Sequence, residues 1–515
     1  MTTRSQSRVT ALVAVGVAVT MMLSGCVSWF LPPTAASTAS VPTGEAVAAD
    51  LVPFYTQALQ WTSCHSTMQC TTAKAPMDWA NPAAATIELA LIRQPAKSGH
   101  PMGSLLVNPG GPGGSGFDFI KDSVNYATDA TLQANYDIVG FDPRGVNHST
   151  PVTCYKKPAE LDSYIYDITP GMIGSAGWIA AAADANKKFG ERCLTLTGPL
   201  LGFVDTPSAA RDLDMMRAIL GDKKLNYLGY SYGTLLGAVY ADLFPGKTGR
   251  LVLDGAVDPA ADDFEGTATQ AVGFESALKA FLEDCKTAKD CPFTGGTADT
   301  MTEIRALFDS LNASPIANSD GRQLGSSTMF TAIILPLYNK DNWQYLRQLF
   351  TTVFAGKAAY AFQLADSYNG RNPDGTYSDN QTEAFISINC LDAHGDGNVQ
   401  EMRDEAAKLK QLAPVFGPQM SYGGTGCPNW PVPAKRDRVA IVAPGSADIL
   451  VVGTTNDPAT PYKWAQAVAA SLQHGHLITY HGEGHTAYNK SNPCVNNAVD
   501  NFFVKGTVPA TDPLC

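Results

Sequence analysis

The 515-residue chain has no basic excess: 36 Lys and Arg stand against 48 Asp and Glu, a formal net charge of −12. Without surplus cations it cannot neutralise a phosphate backbone, which excludes a nucleic-acid binder. Charge of either sign is scarce at 16%, whereas apolar residues make up 45%. That much apolar material is enough to bury a core and excludes a disordered chain. Long hydrophobic runs are missing outside the N-terminus, which excludes a multi-pass membrane protein. No internal repeat is evident, so a solenoid or propeller is not expected. Neither a Cys-x-x-Cys pair nor a His-Glu-x-x-His helix occurs, so neither a metal site nor a cofactor is expected.

What is present begins at the N-terminus. Arg4 and Arg8 precede an uncharged run at 9–23, followed by Leu23-Ser24-Gly25-Cys26. The run is short for a membrane span and suits a signal h-region. Leu-Ser-Gly-Cys resembles a bacterial lipobox, whose Cys becomes the lipidated first residue. The alternative is an ordinary secretory signal with an incidental Cys. Residues 1–25 are therefore expected to be a lipoprotein signal peptide, with Cys26 as membrane anchor. The protein is then exported, and either held at the outer face of a bacterial cell membrane or secreted. Residues 26–50, rich in Ala, Ser, Thr and Pro, read as a flexible tether.

The lipid anchor accounts for an odd cysteine count. Removing Cys26 from 11 cysteines leaves Cys64, Cys70, Cys154, Cys193, Cys285, Cys291, Cys390, Cys427, Cys494 and Cys515. Outside the cytoplasm these are expected to form five disulfides between sequential neighbours. Ten cysteines allow about 945 pairings, so sequence alone leaves the connectivity open.

Short apolar runs alternate with helical stretches. Strands are expected at 86–92, 104–107, 136–141, 225–228, 250–253, 449–452 and 476–480. Helices are expected at 209–220, 235–243 and 462–472. Continuous apolar strands separated by helices indicate an α/β fold with a doubly wound, mostly parallel sheet. The alternation stops after Asp258. Residues 259–435 read as a helical cap or lid, splitting the catalytic domain into 50–258 and 436–515. A cap at this place would cover the crevice at the strand C-termini, where open α/β sheets bind ligands.

The strongest chemical signal is Leu225-Asn226-Tyr227-Leu228-Gly229-Tyr230-Ser231-Tyr232-Gly233-Thr234. It is a strand entering Gly-x-Ser-x-Gly and then a helix, the context of a nucleophile elbow. Asn108-Pro109-Gly110-Gly111-Pro112-Gly113-Gly114-Ser115-Gly116 follows another strand and would bring bare N–H groups to the site. The expected oxyanion donors are Tyr232 N–H and Gly111 N–H, with Gly110 as second choice. No Lys-Ser/Thr follows this loop, which argues against a phosphate loop. In the chain order Ser, Asp, His, the acid is Asp457, just past the strand at 449–452. The base is His485, which follows the strand at 476–480. Ser231 would attack a carbonyl, His485 would shuttle its proton, and Asp457 would orient the imidazole. The rivals are His474, His476 and His481 for the base and Asp448 for the acid. Asp392, His394, Asp396 and Glu401 superficially resemble a calcium loop, but their spacing does not fit an EF-hand.

With these motifs in view, the chain resembles the secreted tripeptidyl aminopeptidase group of the α/β-hydrolases, related to proline iminopeptidases. The resemblance rests on the glycine loop at 108–116, Phe141-Asp142-Pro143-Arg144-Gly145, and Thr206 with Arg211-Asp212-Leu213-Asp214 and Arg217. It continues through Gly-Tyr-Ser-Tyr-Gly-Thr at 229–234, Leu253-Asp254-Gly255, Asp-Pro-Ala-Thr-Pro at 457–461 and Gly-His-Thr at 484–486. It implies an α/β-hydrolase fold and a serine exopeptidase of tripeptidyl or prolyl type, with Ser231, Asp457 and His485 as triad. Its partner would be a peptide with a free N-terminus. An exopeptidase also needs carboxylates to receive the substrate ammonium group, and the candidates are Asp392, Glu275 and Glu383. Asp142, Asp254 and Arg144 are expected to hold loops and strand ends. The alternatives are a carboxylesterase or lipase, and a non-catalytic surface lipoprotein.

Overall fold

The structure, a computed structural model, describes residues 38–515 apart from 393, 394 and 396. The signal peptide and Cys26 lie outside the described residues, as do His394 and Asp396. Ten strands form one sheet: β1 (Thr38–Ala39), β2 (Gln60–Ser63), β3 (Gln69–Pro76), β4 (Thr86–Gln94), β5 (Ser104–Asn108), β6 (Asp137–Phe141), β7 (Leu225–Tyr230), β8 (Thr248–Asp254), β11 (Ile449–Asn456) and β12 (Gly475–Glu483), with a separate hairpin of β9 (Ile316–Ala317) and β10 (Gln323–Leu324). Their spatial order is β1-β2-β3-β4-β6-β5-β7-β8-β11-β12. The six strands from β6 to β12 run parallel, and β1 to β4 form an antiparallel flank. This is the doubly wound α/β-hydrolase sheet.

The central strands are apolar on both faces, and their period of two sorts neighbouring residues into two cores. Leu106, Leu251, Leu253, Ile449 and Val451 join one cluster with helices Thr206–Leu220 and Tyr232–Leu243. Leu105, Val107, Val252, Leu450 and Val452 join the other with helices Gly116–Ala127 and Pro493–Lys505. Each such buried side chain contributes about 2 kcal/mol.

Between β8 and β11 the regular structure of the described residues is mainly helical, with the β9–β10 hairpin. Its helices Asp263–Cys285, Thr297–Ala313, Ser326–Leu337, Trp343–Phe354 and Ala359–Tyr368 enclose a core of their own around Phe281, Ile304, Phe308 and Phe350. The segment between β6 and β7 also joins this layer. Tyr166, at the end of helix Pro158–Tyr166, is buried in the helical core, and Asp162 pairs with Arg371 at 2.7 Å.

The N-terminal segment departs from the expected tether. From Thr38 onward it is packed on the fold: β1 pairs with β2, and Glu45 binds the buried Arg217 guanidinium at 2.9 Å. Arg217 and Lys247 hold the Glu45 carboxyl below its ordinary range. The reason is charge compensation, because a guanidinium buried beside only one other carboxylate, Asp214, gains from a second. The disulfides are Cys64–Cys70, Cys154–Cys193, Cys285–Cys291, Cys390–Cys427 and Cys494–Cys515, the sequential pairs. Among the described residues no helix is long and apolar enough to cross a membrane.

Candidate active site

β7 ends at Tyr230 and helix Tyr232–Leu243 begins two residues later, so Ser231 carries the whole turn. Its φ of 56° and ψ of −126° are backbone values a serine rarely adopts, the strain expected of a nucleophile elbow. Ser231 Oγ makes no capping bond with the helix it begins. The loop after β5 lies against this turn. A Cβ on Gly110 would stand 2.8 Å from Ser231 Cβ and 3.0 Å from Tyr232 N. The N–H groups of Gly111 and Tyr232 have no acceptor among the described residues, so both remain available to an oxyanion. Gly110 N–H is already taken by Asn108 Oδ1 at 2.9 Å, which removes Gly110 as the alternative donor.

Asp457 and His485 meet beside the elbow. His485 Nδ1 lies 2.9 Å from both Asp457 oxygens. Asp457 is 2% exposed and also accepts Ala459 N–H, Thr460 N–H, Thr460 Oγ1–H and Thr486 N–H, at 2.9–3.2 Å. Thr460 Oγ1 also stands 3.2 Å from His485 Nδ1. From the helical layer, Tyr338 accepts His485 N–H on its carbonyl at 2.8 Å, and its ring centroid lies 5.3 Å from the imidazole.

Asp254 couples the two halves of the site. Its carbonyl accepts Ser231 N–H at 2.9 Å, while its carboxylate accepts Ala487 N–H at 3.0 Å and Tyr488 N–H at 2.8 Å. One residue at the end of β8 thus anchors both the elbow and the loop after His485. Lys490 closes the same region. Its ammonium donates to Thr486 Oγ1 at 2.6 Å and lies 4.5 Å and 4.3 Å from the ring centroids of Tyr126 and Tyr230. Burial pushes Lys490 down to about 8 against the pull of Asp254 and Asp457.

The rivals fall elsewhere. His476 Nε2 and Asp448 Oδ1 pair with each other at 2.9 Å, near the amino ends of β12 and β11, away from the catalytic edge. His474 precedes β12 and His481 is exposed. Arg144 is fully buried, bound to Asp212 at 2.6 and 2.7 Å and to three backbone carbonyls. Asp142 accepts Ser115 Oγ–H, Phe117 N–H and His148 N–H.

None of the three carboxylates expected to receive an ammonium group is open to one. Asp392 is 7% exposed, and both its oxygens are held by Thr206, through N–H at 3.0 Å and the hydroxyl. Burial pushes its carboxyl up to about 6. It serves the N-terminus of helix Thr206–Leu220 instead. Glu383 accepts Cys154 and Tyr155 N–H, and Glu275 accepts Val415 and Phe416 N–H. Each carboxylate terminates backbone donors that would otherwise be buried unpaired.

Among the described residues, Cys64, His65 and Cys70 stand as a group with metal-ligand spacing, but the Cys64–Cys70 disulfide consumes both sulfurs. Thr460, Tyr338 and Lys490 were not singled out from the sequence. Thr460 carries a local signal, since an acceptor on Asp457 facing N–H groups two and three residues on is an Asx-type turn. Tyr338 and Lys490 carry none, because their roles exist only across the fold.

Residues 413–515 match the family described as TAP-like protein. The chain is 35% identical over 484 residues to the serine protease Hip1 of Mycobacterium tuberculosis, covering 89% of this chain and 91% of that one. It is 36% identical over 512 residues to a carboxylesterase B of the same organism, covering 96% of each. It is 31% identical over 454 residues to the tripeptidyl aminopeptidase of Streptomyces lividans, covering 87% of this chain and 83% of that one.

Proposed function

The chain belongs to this family of serine hydrolases, and on that premise we propose that it is an exported exopeptidase releasing short peptides from free N-termini. The observation that carries the chemistry is the Asp457–His485 pair beside a strained Ser231 and two unpaired N–H groups. Ser231 Oγ attacks the scissile carbonyl as His485 Nε2 takes its proton. Asp457 holds the Nδ1–H tautomer and stabilises the imidazolium. The oxyanion settles on Tyr232 and Gly111 N–H. His485 then protonates the leaving amine, and a water activated the same way hydrolyses the acyl-enzyme.

The name of the carboxylesterase B relative supports a second reading, in which the same acyl-enzyme forms from esters. One assay separates the two. Peptidyl arylamides with a free amine are expected to be cleaved and their N-acetylated forms to be poor substrates. Turnover of short acyl esters alone would favour the esterase. Ser231→Ala is expected to lower turnover by about three orders of magnitude or more; an active variant would refute the mechanism. Attachment through lipidated Cys26 is part of the same proposal. Cys26→Ser is expected to move activity from the membrane fraction to the medium.

A further inference from the structure

A cleft of about 690 Å³ opens between the helical layer and the segment joining β6 to β7. Its size is that of a site for a small molecule or a short peptide. Helices Pro158–Tyr166, Ala176–Thr197 and Ser326–Leu337 line it, with the end of Ala359–Tyr368 and the start of Gln381–Asp392. Two of its walls touch the catalytic machinery. Gln381 and Phe385 back the oxyanion loop: a Cβ on Gly113 would stand 2.9 Å from Gln381 O and from Phe385 N. On the other wall, Tyr368 lies beside Tyr338, whose carbonyl accepts His485 N–H at 2.8 Å. Its walls thus adjoin the elements that hold the catalytic groups, the oxyanion loop on one side and His485 on the other.

Its lining is almost uncharged. Ile168 and Phe385 are exposed to it, at 42% and 43%, although both are large apolar side chains. Asp167, which ends helix Pro158–Tyr166, is the only charged side chain on the walls among the described residues. Its carboxylate forms no ion pair and accepts no hydrogen bond among the described residues. It thus differs from Asp392, Glu275 and Glu383, whose oxygens are occupied. A free carboxylate in a neutral, partly apolar cleft complements a cation carried on an apolar body.

We propose that this cleft binds the N-terminal residues of the peptide substrate, with Asp167 receiving the α-ammonium group and Ile168 and Phe385 contacting apolar side chains. The proposal rests on the exopeptidase reading and supplies the ammonium receptor that the occupied carboxylates leave unfilled. The substrate enters amino end first. The reach from Asp167 to Ser231 then sets how many residues are released.

The test compares kcat/KM for a peptidyl arylamide with a free amine, its N-acetylated form and its N-succinylated form. Asp167→Asn is expected to lower the preference for free amine over N-acetyl by about tenfold, mainly through KM. Asp167→Lys is expected to turn the preference toward the anionic N-succinyl substrate. Asp167→Glu should keep part of the wild-type preference, which a merely structural role would not require. A free-amine preference unchanged in both Asn and Lys variants overturns the role of Asp167 and leaves the exopeptidase reading standing. A wild-type enzyme that cleaves N-acetylated substrates as well as free ones overturns both.

Discussion

Asp457 shows how a single residue is made reliable as a partner for imidazole. Four donors besides His485 hold its carboxylate, so neither oxygen can rotate away from Nδ1. Thr460 is the most informative of them, since its hydroxyl donates to Asp457 Oδ2 at 3.0 Å and stands 3.2 Å from Nδ1. Thr460→Val keeps the shape and removes that hydroxyl. It is expected to lower kcat by about ten- to a hundredfold with KM little changed, and Thr460→Ser should restore most of the loss. Steady-state kinetics on a folded variant checks this, and an unchanged kcat would show that the backbone donors suffice. Ser231, Asp457 and His485 were legible in the sequence because each sits in a short motif at a strand end. Asp392 was misread because a buried carboxylate and a substrate-facing one look alike until their partners are placed.

At the scale of elements, helix Gln381–Asp392 joins the helical layer to the catalytic domain. Asn380, just before it, donates to Gly145 and Val152 carbonyls at 2.9 and 2.8 Å and accepts Asn147 N–H at 2.8 Å. Glu383 binds the next turn of the same loop through Cys154 and Tyr155 N–H. These clamps press the helix onto the oxyanion loop at Gly113, whose φ is +89°. Gly113→Ala would strain that backbone and push against the helix. It is expected to cost roughly 1–3 kcal/mol of stability and to lower kcat/KM by at least about tenfold. Thermal melts and kinetics together check this, and full activity would mean that the helix does not position the loop. The expected elements at 225–228 and 235–243 appear as the longer β7 and helix Tyr232–Leu243. β2 and β3 went unread because Thr-Thr-Ala-Lys-Ala has little apolar contrast, and its pairing with β4 supplies the order. The strand expected at 449–452 begins at Ile449 and runs on to Asn456, after a segment without ladder partners.

For the molecule as a whole, buried carboxyls govern the response to pH. Burial raises Asp500 to about 7, aided by its neighbour Asp129, and raises Asp222 and Asp392 to about 6. In the unfolded chain such groups titrate near about 4. A raised folded-state value means that the fold prefers the protonated form. This contribution is complete below about pH 4 and is lost as pH rises through the range of about 6 to 7. Asp118 and Asp162 act in the opposite sense, since their cationic partners lower them and their contribution is lost only at more acid pH. The melting temperature is therefore expected to be higher at pH 5 than at pH 8, and Asp500→Asn should raise the value at pH 8 and flatten the profile. A profile rising from pH 5 to pH 8 would contradict this. The sequence by itself determined the sheet class and the elbow and pointed to Asp457 and His485, because strand period, turn glycines and short motifs at strand ends are local properties; which cysteine meets which was fixed by the fold. Only the tertiary structure decided that Gly110 N–H is occupied, that Asp254 couples the elbow to the histidine loop, and which carboxylate is left free. Those facts depend on which donor meets which acceptor across the fold, and no spacing along a chain contains that.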